Sequence, residues 1–217
     1  EQLRRLQDST VEVIAALHAI PDAEQAFSVL AFDDPGESAL RRHVAHTEAW
    51  YRFTTDGPHG MRSPLVDRGI AWLHDHWPTS EGDTVVSWGD SRIGNVIYDD
   101  FRPAAVLDWE MAGLGPRELD VAWLVFAHMV FEDIASVFEL PGMPDFLRPD
   151  EVVATYEAAS GVTLGDLRFY HVYCDEQWGI VFLRTSARQL HFGEIEAPGH
   201  VDELLRHSAL FERLLAD

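Results

Sequence analysis

The chain contains no lysine: its 16 basic residues are all arginine. No lysine-based grip on a nucleotide's phosphates is therefore available within these 217 residues. Cysteine is almost absent too. Cys174 stands alone, so no internal disulfide forms, which suits a reducing compartment and points to the cytoplasm. Paired cysteines and an H-E-x-x-H are missing, so the histidines (His43 and His46, His74 and His76) read as ordinary residues rather than zinc ligands. A G-x-S-x-G frame is missing, so Ser87 and Ser91 read as turn residues, not nucleophiles. Positive charge is scarce: 37 acidic residues against 16 basic ones give a net charge of −21. Such a field disfavours nucleic acid and anionic membranes as partners. The longest apolar stretch, Val121 to Phe131, is broken by His128 and is too short to span a bilayer. The charged opening, Glu1 to Arg5, lacks the apolar run of a secretion signal. Internal repeats and low-complexity tracts are absent.

What is present is a folded, largely helical chain, with 47% hydrophobic residues. Apolar residues at helical spacing predict helices over 2–19, 38–53 and 64–77, and a short one within 22–31. Further helices are expected from Pro116 to about 131, over 150–160, over 166–192 and over 200–215. Residues 132–149 read as a short helix plus loop, and 54–63 as a polar loop. Pro116 is placed in a helix's first turn, Asp150 as an N-cap and Gly161 as a C-cap.

The stretch from Val85 to Trp123 differs from the rest. Asp90 sits in a tight turn after a β-branched run, and Asn95 follows five residues later. Two short strands, about 94–98 and 103–107, flank the turn-forming Asp99 to Pro103. Asp108 ends the second strand. The spacing Asp90-x-x-x-x-Asn95 equals that of a kinase catalytic loop, where the Asp takes the acceptor's proton and the Asn binds Mg²⁺. Asn95 and Asp108 can then face one ion. Mg²⁺ wants oxygen ligands and keeps several waters, so a carboxylate, an amide oxygen and substrate phosphates suffice.

Three segments in order, W-G-D-S-R-I-G-N, L-D-W-E and G-P-R-E-L-D-V-A-W, resemble the marks of the aminoglycoside phosphotransferase and choline kinase-like superfamily. The nearest likeness is to the kinase-like domains related to those fused to some acyl-CoA dehydrogenases. The resemblance implies an α+β, protein-kinase-like C-terminal lobe. It is mostly helical, with a small β-hairpin carrying the catalytic and metal loops. Residues 1–83 and 111–217 form the helical parts, and 84–110 hold the loops. Asp90 then resembles the catalytic base, Asn95 and Asp108 the Mg²⁺ ligands, and Glu110 a further acid near the metal. Asp120 resembles the buried Asp that hydrogen-bonds the catalytic-loop backbone. Trp88 stands where the family usually has a histidine that orients the loop.

The resemblance implies ATP as co-substrate, Mg²⁺ as cofactor and a small hydroxylated molecule as acceptor. It also implies an N-terminal lobe, with a phosphate-binding Lys beneath a Gly-rich loop, that this chain lacks. The expectation is an ATP-dependent O-phosphotransferase represented by its C-terminal lobe, weak or inactive by itself. A pseudokinase-like binding module and a Mg²⁺-dependent phosphate-ester hydrolase stay open beside it. The acids Glu132, Asp133, Glu139, Asp175 and Glu176 are expected to line a substrate cleft or to form a solvated face.

Overall fold

A computed structural model describes residues 1–57 and 60–216, so Pro58 and His59 of the expected loop over 54–63 lie outside the described residues. Eight α-helices surround two small antiparallel sheets among those residues. The helices are α1 (Gln2–His18), α2 (Ala23–Ala26), α3 (Ala39–Thr55), α4 (Pro64–Asp75), α5 (Glu118–Val137), α6 (Pro149–Ser160), α7 (Arg168–His191) and α8 (Ser208–Ala216). The strands are β1 (Thr84–Ser87), β2 (Val96–Asp99), β3 (Arg102–Val106) and β4 (Gly113–Pro116).

Local chemistry sets most helix ends. Ser38 caps α3 by accepting a hydrogen bond from Arg41 N, and Ser63 caps α4 by accepting from Val66 N, with Pro64 at the first position. Gly161 ends α6 in the left-handed region, φ 71°, which glycine enters without a Cβ penalty. The N-cap of α6 is Arg148, not Asp150, because Pro149 takes the first position and moves Asp150 into the first turn.

The interior is built on α5 and α7. Val121, Ala122, Leu124, Val125, Phe126 and Val130 of α5 are buried against the rest of the core. A helix apolar on nearly every side is stable only in such a place. It does not stop near 131: it runs on to Val137, and a loop follows, so the separate short helix expected over 132–149 does not form. The C-terminal segment divides into a 3-10 turn (Val201–Leu204) and α8.

The largest departure from expectation is β4. It pairs antiparallel with β1 in the register Val85↔Gly115 and Val86↔Leu114. Pro116 therefore ends a strand, and α5 begins two residues later. Gly-Leu-Gly-Pro carries no strand propensity, and tertiary packing decides it. A Cβ on Gly115 would lie 2.7 Å from His43 Nε2 and 2.5 Å from Leu119 Cδ1, so only glycine lets α3 and α5 close on this strand. β2 and β3 form the expected hairpin, shifted by a residue or two and irregular between Ile97 and Tyr98. Asn95 precedes the hairpin in a 3-10 turn (Ile93–Asn95). No helix among the described residues is long and apolar enough to cross a membrane.

Candidate active site

β1 delivers the chain into a turn at Trp88-Gly89-Asp90. Gly89 has φ 87°, and a Cβ there would meet the carbonyl oxygen of Met111 at 2.2 Å, so the turn needs glycine twice over. The turn is held from beneath by Asp120, in the first turn of α5 and 0% exposed. Its carboxylate accepts from Trp88 N (2.7 Å), Gly89 N (2.8 Å) and Ser87 Oγ (2.9 Å). His18 of α1 adds a fourth contact through Nε2, at 2.9 Å. The carboxylate can only accept here, so Nε2 carries the proton. Nδ1 lies 2.7 Å from the Tyr156 hydroxyl, so both ring nitrogens have a partner. Burial pushes the Asp120 carboxyl upward, but the His18 hydrogen bond and charge and the backbone donors outweigh it and hold it below its ordinary value. A carboxylate at a helix N-terminus also favours the negative form.

Asp90 emerges from this turn with its carboxylate fully engaged. Trp123 Nε1 donates to Oδ1 at 2.8 Å and Asn95 Nδ2 to Oδ2 at 2.6 Å. Arg92 Nε lies 3.1 Å from both oxygens. Asn95 Nδ2 also reaches the Asp90 carbonyl at 3.0 Å, so its Oδ1 is the end left over for another partner. The Asn95 carbonyl accepts from Leu107 N at 2.8 Å, which ties its turn to the residue before Asp108. Asp108 is exposed and adopts φ 62°, a left-handed conformation that Asp tolerates better than most residues.

Trp88 links the two loops. It is 1% exposed, and its indole Nε1 donates to the carbonyls of Leu107 (2.9 Å) and Asp108 (3.2 Å). One side chain thus ties its backbone to Asp120 and its ring to the Asp108 loop. Glu110 is exposed just beyond. Among the described residues no three His, Cys, Asp or Glu side chains converge on a metal-sized site. Any hard cation here would depend on an amide, backbone, substrate or water oxygen as well.

A cavity of about 110 Å³ lies beside the turn, lined by Gly89, Met111, Trp123, Tyr173 and Gln177. It is large enough for a few heavy atoms or waters. His43, also on its wall, is pushed down to about 4 by burial and hydrogen-bonds Leu114 O, so it is a neutral structural ring. Burial likewise pushes the Cys174 thiol up, away from a reactive thiolate.

The acids expected to share a cleft or a solvated face are dispersed. Asp175 and Glu176 are 0% exposed inside α7, Asp133 pairs with Arg213, and Glu132 accepts from Met143 N. Conversely, Arg92, Trp123 and His18 were not singled out by sequence. Arg92 lay inside the motif, two residues after Asp90. Trp123 closed the third motif without any sign of a contact with Asp90, and His18 carried no signal beyond a helix end.

The model of the phosphotransferase enzyme family (APH) matches residues 1–180, and the chain belongs to that family. Among curated proteins, the probable acyl-CoA dehydrogenase IBR3 of Arabidopsis thaliana is 25% identical over 172 residues, which are 74% of this chain and 20% of that protein. Acyl-CoA dehydrogenase family member 10 of Mus musculus is 30% identical over 119 residues, 54% of this chain and 10% of that protein. The chain thus spans a fifth or less of these relatives' length. Among solved structures, an aminoglycoside phosphotransferase-type protein of Ralstonia eutropha matches with a TM-score of 0.70 at 21% identity, over 97% of this chain and 63% of that one. A choline/ethanolamine kinase family protein of Mesorhizobium loti matches with a TM-score of 0.58 at 13% identity, over 97% and 65%. These likenesses establish the fold, and the family match places the chain in the phosphotransferase enzyme family.

Proposed function

We propose that the chain carries the catalytic half of an ATP-dependent phosphotransferase acting on the hydroxyl group of a small molecule. The observation that carries this reading is the geometry of Asp90. It is presented by a glycine turn, aimed by Trp123 and Asn95, and tied through Trp88 to the loop of Asp108.

Asp90 is the general base. It accepts the acceptor's hydroxyl proton as the oxygen moves onto phosphorus. Asn95 Oδ1 and the Asp108 carboxylate would hold Mg²⁺, with Glu110 at the edge of the same loop. The locked amide of Asn95 and the exposed carboxylate of Asp108 fit a hard cation that keeps its waters. The ion when bound neutralises phosphate charge. The protein's own share is positioning, since phosphoryl transfer asks little covalent chemistry of the enzyme. The cavity beside Gly89 and Trp123 receives part of the acceptor's body.

In this reading the chain corresponds to a kinase-like C-terminal lobe, and a lysine-bearing, glycine-looped lobe lies outside it. Two facts support that: the chain has no lysine and covers 63% of its Ralstonia structural neighbour. The cytoplasm, with ATP and a reducing potential, is the setting.

The test is Asp90→Ala in the full-length protein, assayed for ATP consumption against a panel of hydroxylated metabolites. Turnover should fall by about 10²–10⁴-fold, the usual worth of a general base, while ATP still binds. Turnover at the wild-type rate would refute the assignment. Phosphate release without acceptor would favour a hydrolase, and nucleotide binding with no turnover by the wild type would favour a binding module.

A further inference from the structure

Arg92 occupies an unusual place beside the proposed base. A carboxylate offers about four acceptor positions. In Asp90, Trp123 and Asn95 take one each, and the single Nε–H of Arg92 is shared between the two oxygens. An acceptor hydroxyl therefore competes with three N–H donors for the carboxylate until one of them leaves. Trp123 and Asn95 are 4% and 6% exposed and are held by the core and the hairpin turn. The Arg92 side chain is 31% exposed, and only its Nε is engaged; Nη1 and Nη2 have no hydrogen-bond partner among the described residues. Gly94 makes room for it: a Cβ there would lie 2.7 Å from Arg92 Nη1. The guanidinium thus rests over a glycine with its forked edge unused, beside the proposed base, in a chain with no lysine.

We infer that Arg92 is a phosphate-binding residue that leaves Asp90 for the transferring phosphoryl group of ATP and, by leaving, frees Asp90 to accept the hydroxyl. This rests on the phosphotransferase reading above. A phosphate oxygen pair matches the planar fork better than one carboxylate shared through Nε. The base is thus idle until the phosphoryl donor arrives. Then the acceptor oxygen bonds to phosphorus, the bond from phosphorus to the bridging oxygen breaks with its electron pair leaving on ADP, and the hydroxyl proton passes to Asp90.

The two nucleotides distinguish this role from a structural one, because only ATP carries the transferring group. Calorimetric titration of the full-length protein with Mg·ATP and Mg·ADP should show that Arg92→Ala weakens ATP about tenfold, the worth of a charge-assisted contact, and leaves ADP within roughly twofold. Arg92→Lys should recover part of the ATP preference. Gly94→Ala, which displaces the guanidinium without removing it, should lower the same preference by a smaller factor. Equal effects on ATP and ADP, or none on either, would overturn the Arg92 assignment while leaving Asp90 as base untouched. A wild-type protein that binds neither nucleotide would overturn the phosphotransferase reading and this inference with it.

Discussion

Asp120, at the start of α5, and Glu176, in the middle of α7, are both 0% exposed, yet their surroundings drive them in opposite directions. Asp120 is met by two backbone N–H groups, a hydroxyl and an imidazole, and its carboxyl is held below the ordinary value. Both oxygens of Glu176 lack a hydrogen-bond partner, and burial raises its carboxyl well above the ordinary value. The difference teaches that burial alone does not decide a carboxyl's state; what decides it is whether donors were buried with it. The donor-rich site lies under the proposed catalytic turn, and the donor-poor one lies inside α7. Asp175, next to Glu176, is pushed up to about 6 by burial, against the pull of the neighbouring His207.

The strongest test of this contrast is to remove Asp120. Asp120→Ala strands two backbone donors, Ser87 and His18 in the interior, and should cost about 3–5 kcal/mol, as breaking a buried charged network does. Urea unfolding measures it, and a loss no larger than that of a single hydrogen bond would dissolve the contrast. The converse change is Glu176→Leu, which deletes two orphaned oxygens while keeping bulk. It should stabilise the protein by ~1–3 kcal/mol. A destabilised variant would mean that Glu176 has a partner after all.

The two sites also differ in pH dependence. The folded carboxyl of Asp120 is lowered from 3.8, so its stabilisation is complete above that value and is lost as pH falls through the folded one. That of Glu176 is raised from 4.5, so stability is greatest below that value and declines as pH rises through the folded one. Glu176→Leu should therefore flatten the alkaline arm of a melting-temperature profile and leave the acid arm intact. The smallest effect is expected from Ser87→Ala, which removes one of the donors to Asp120 and should cost about 1 kcal/mol. If it costs as much as losing Asp120 itself, the hydroxyl rather than the backbone pair holds the turn.

Much of the site was legible along the chain because its parts are local. Asp90 and Asn95 meet through a turn of five residues, and the hairpin that brings Asp108 back is announced by its Asp-Asp and Pro punctuation. The role expected of Asp120 could be drawn only from the family pattern, and its contacts with the Trp88 and Gly89 backbone agree with it. Helices were readable where apolar spacing ran on, as for α4, or where a glycine marked the end, as Gly161 does for α6. β4 was not, since two glycines and a proline form a strand only because β1 and His43 lie against them. Nor were the contacts of Trp123 and Arg92 with Asp90, or the burial of Asp175 and Glu176. An acidic pair in a helix looks alike in water and in a core.

The sequence by itself determined which chemistry is on offer here: a carboxylate, an amide and a second carboxylate at fixed intervals, no lysine, and a helical frame. These follow from turn chemistry and hydrophobic spacing, which act over a few residues. Only the tertiary structure decided how the groups are engaged. It set Trp88 across two loops, put three N–H donors on Asp90, and left Glu176 without a donor. Such outcomes depend on which distant surfaces pack together and shut out water, and no interval along the chain encodes that.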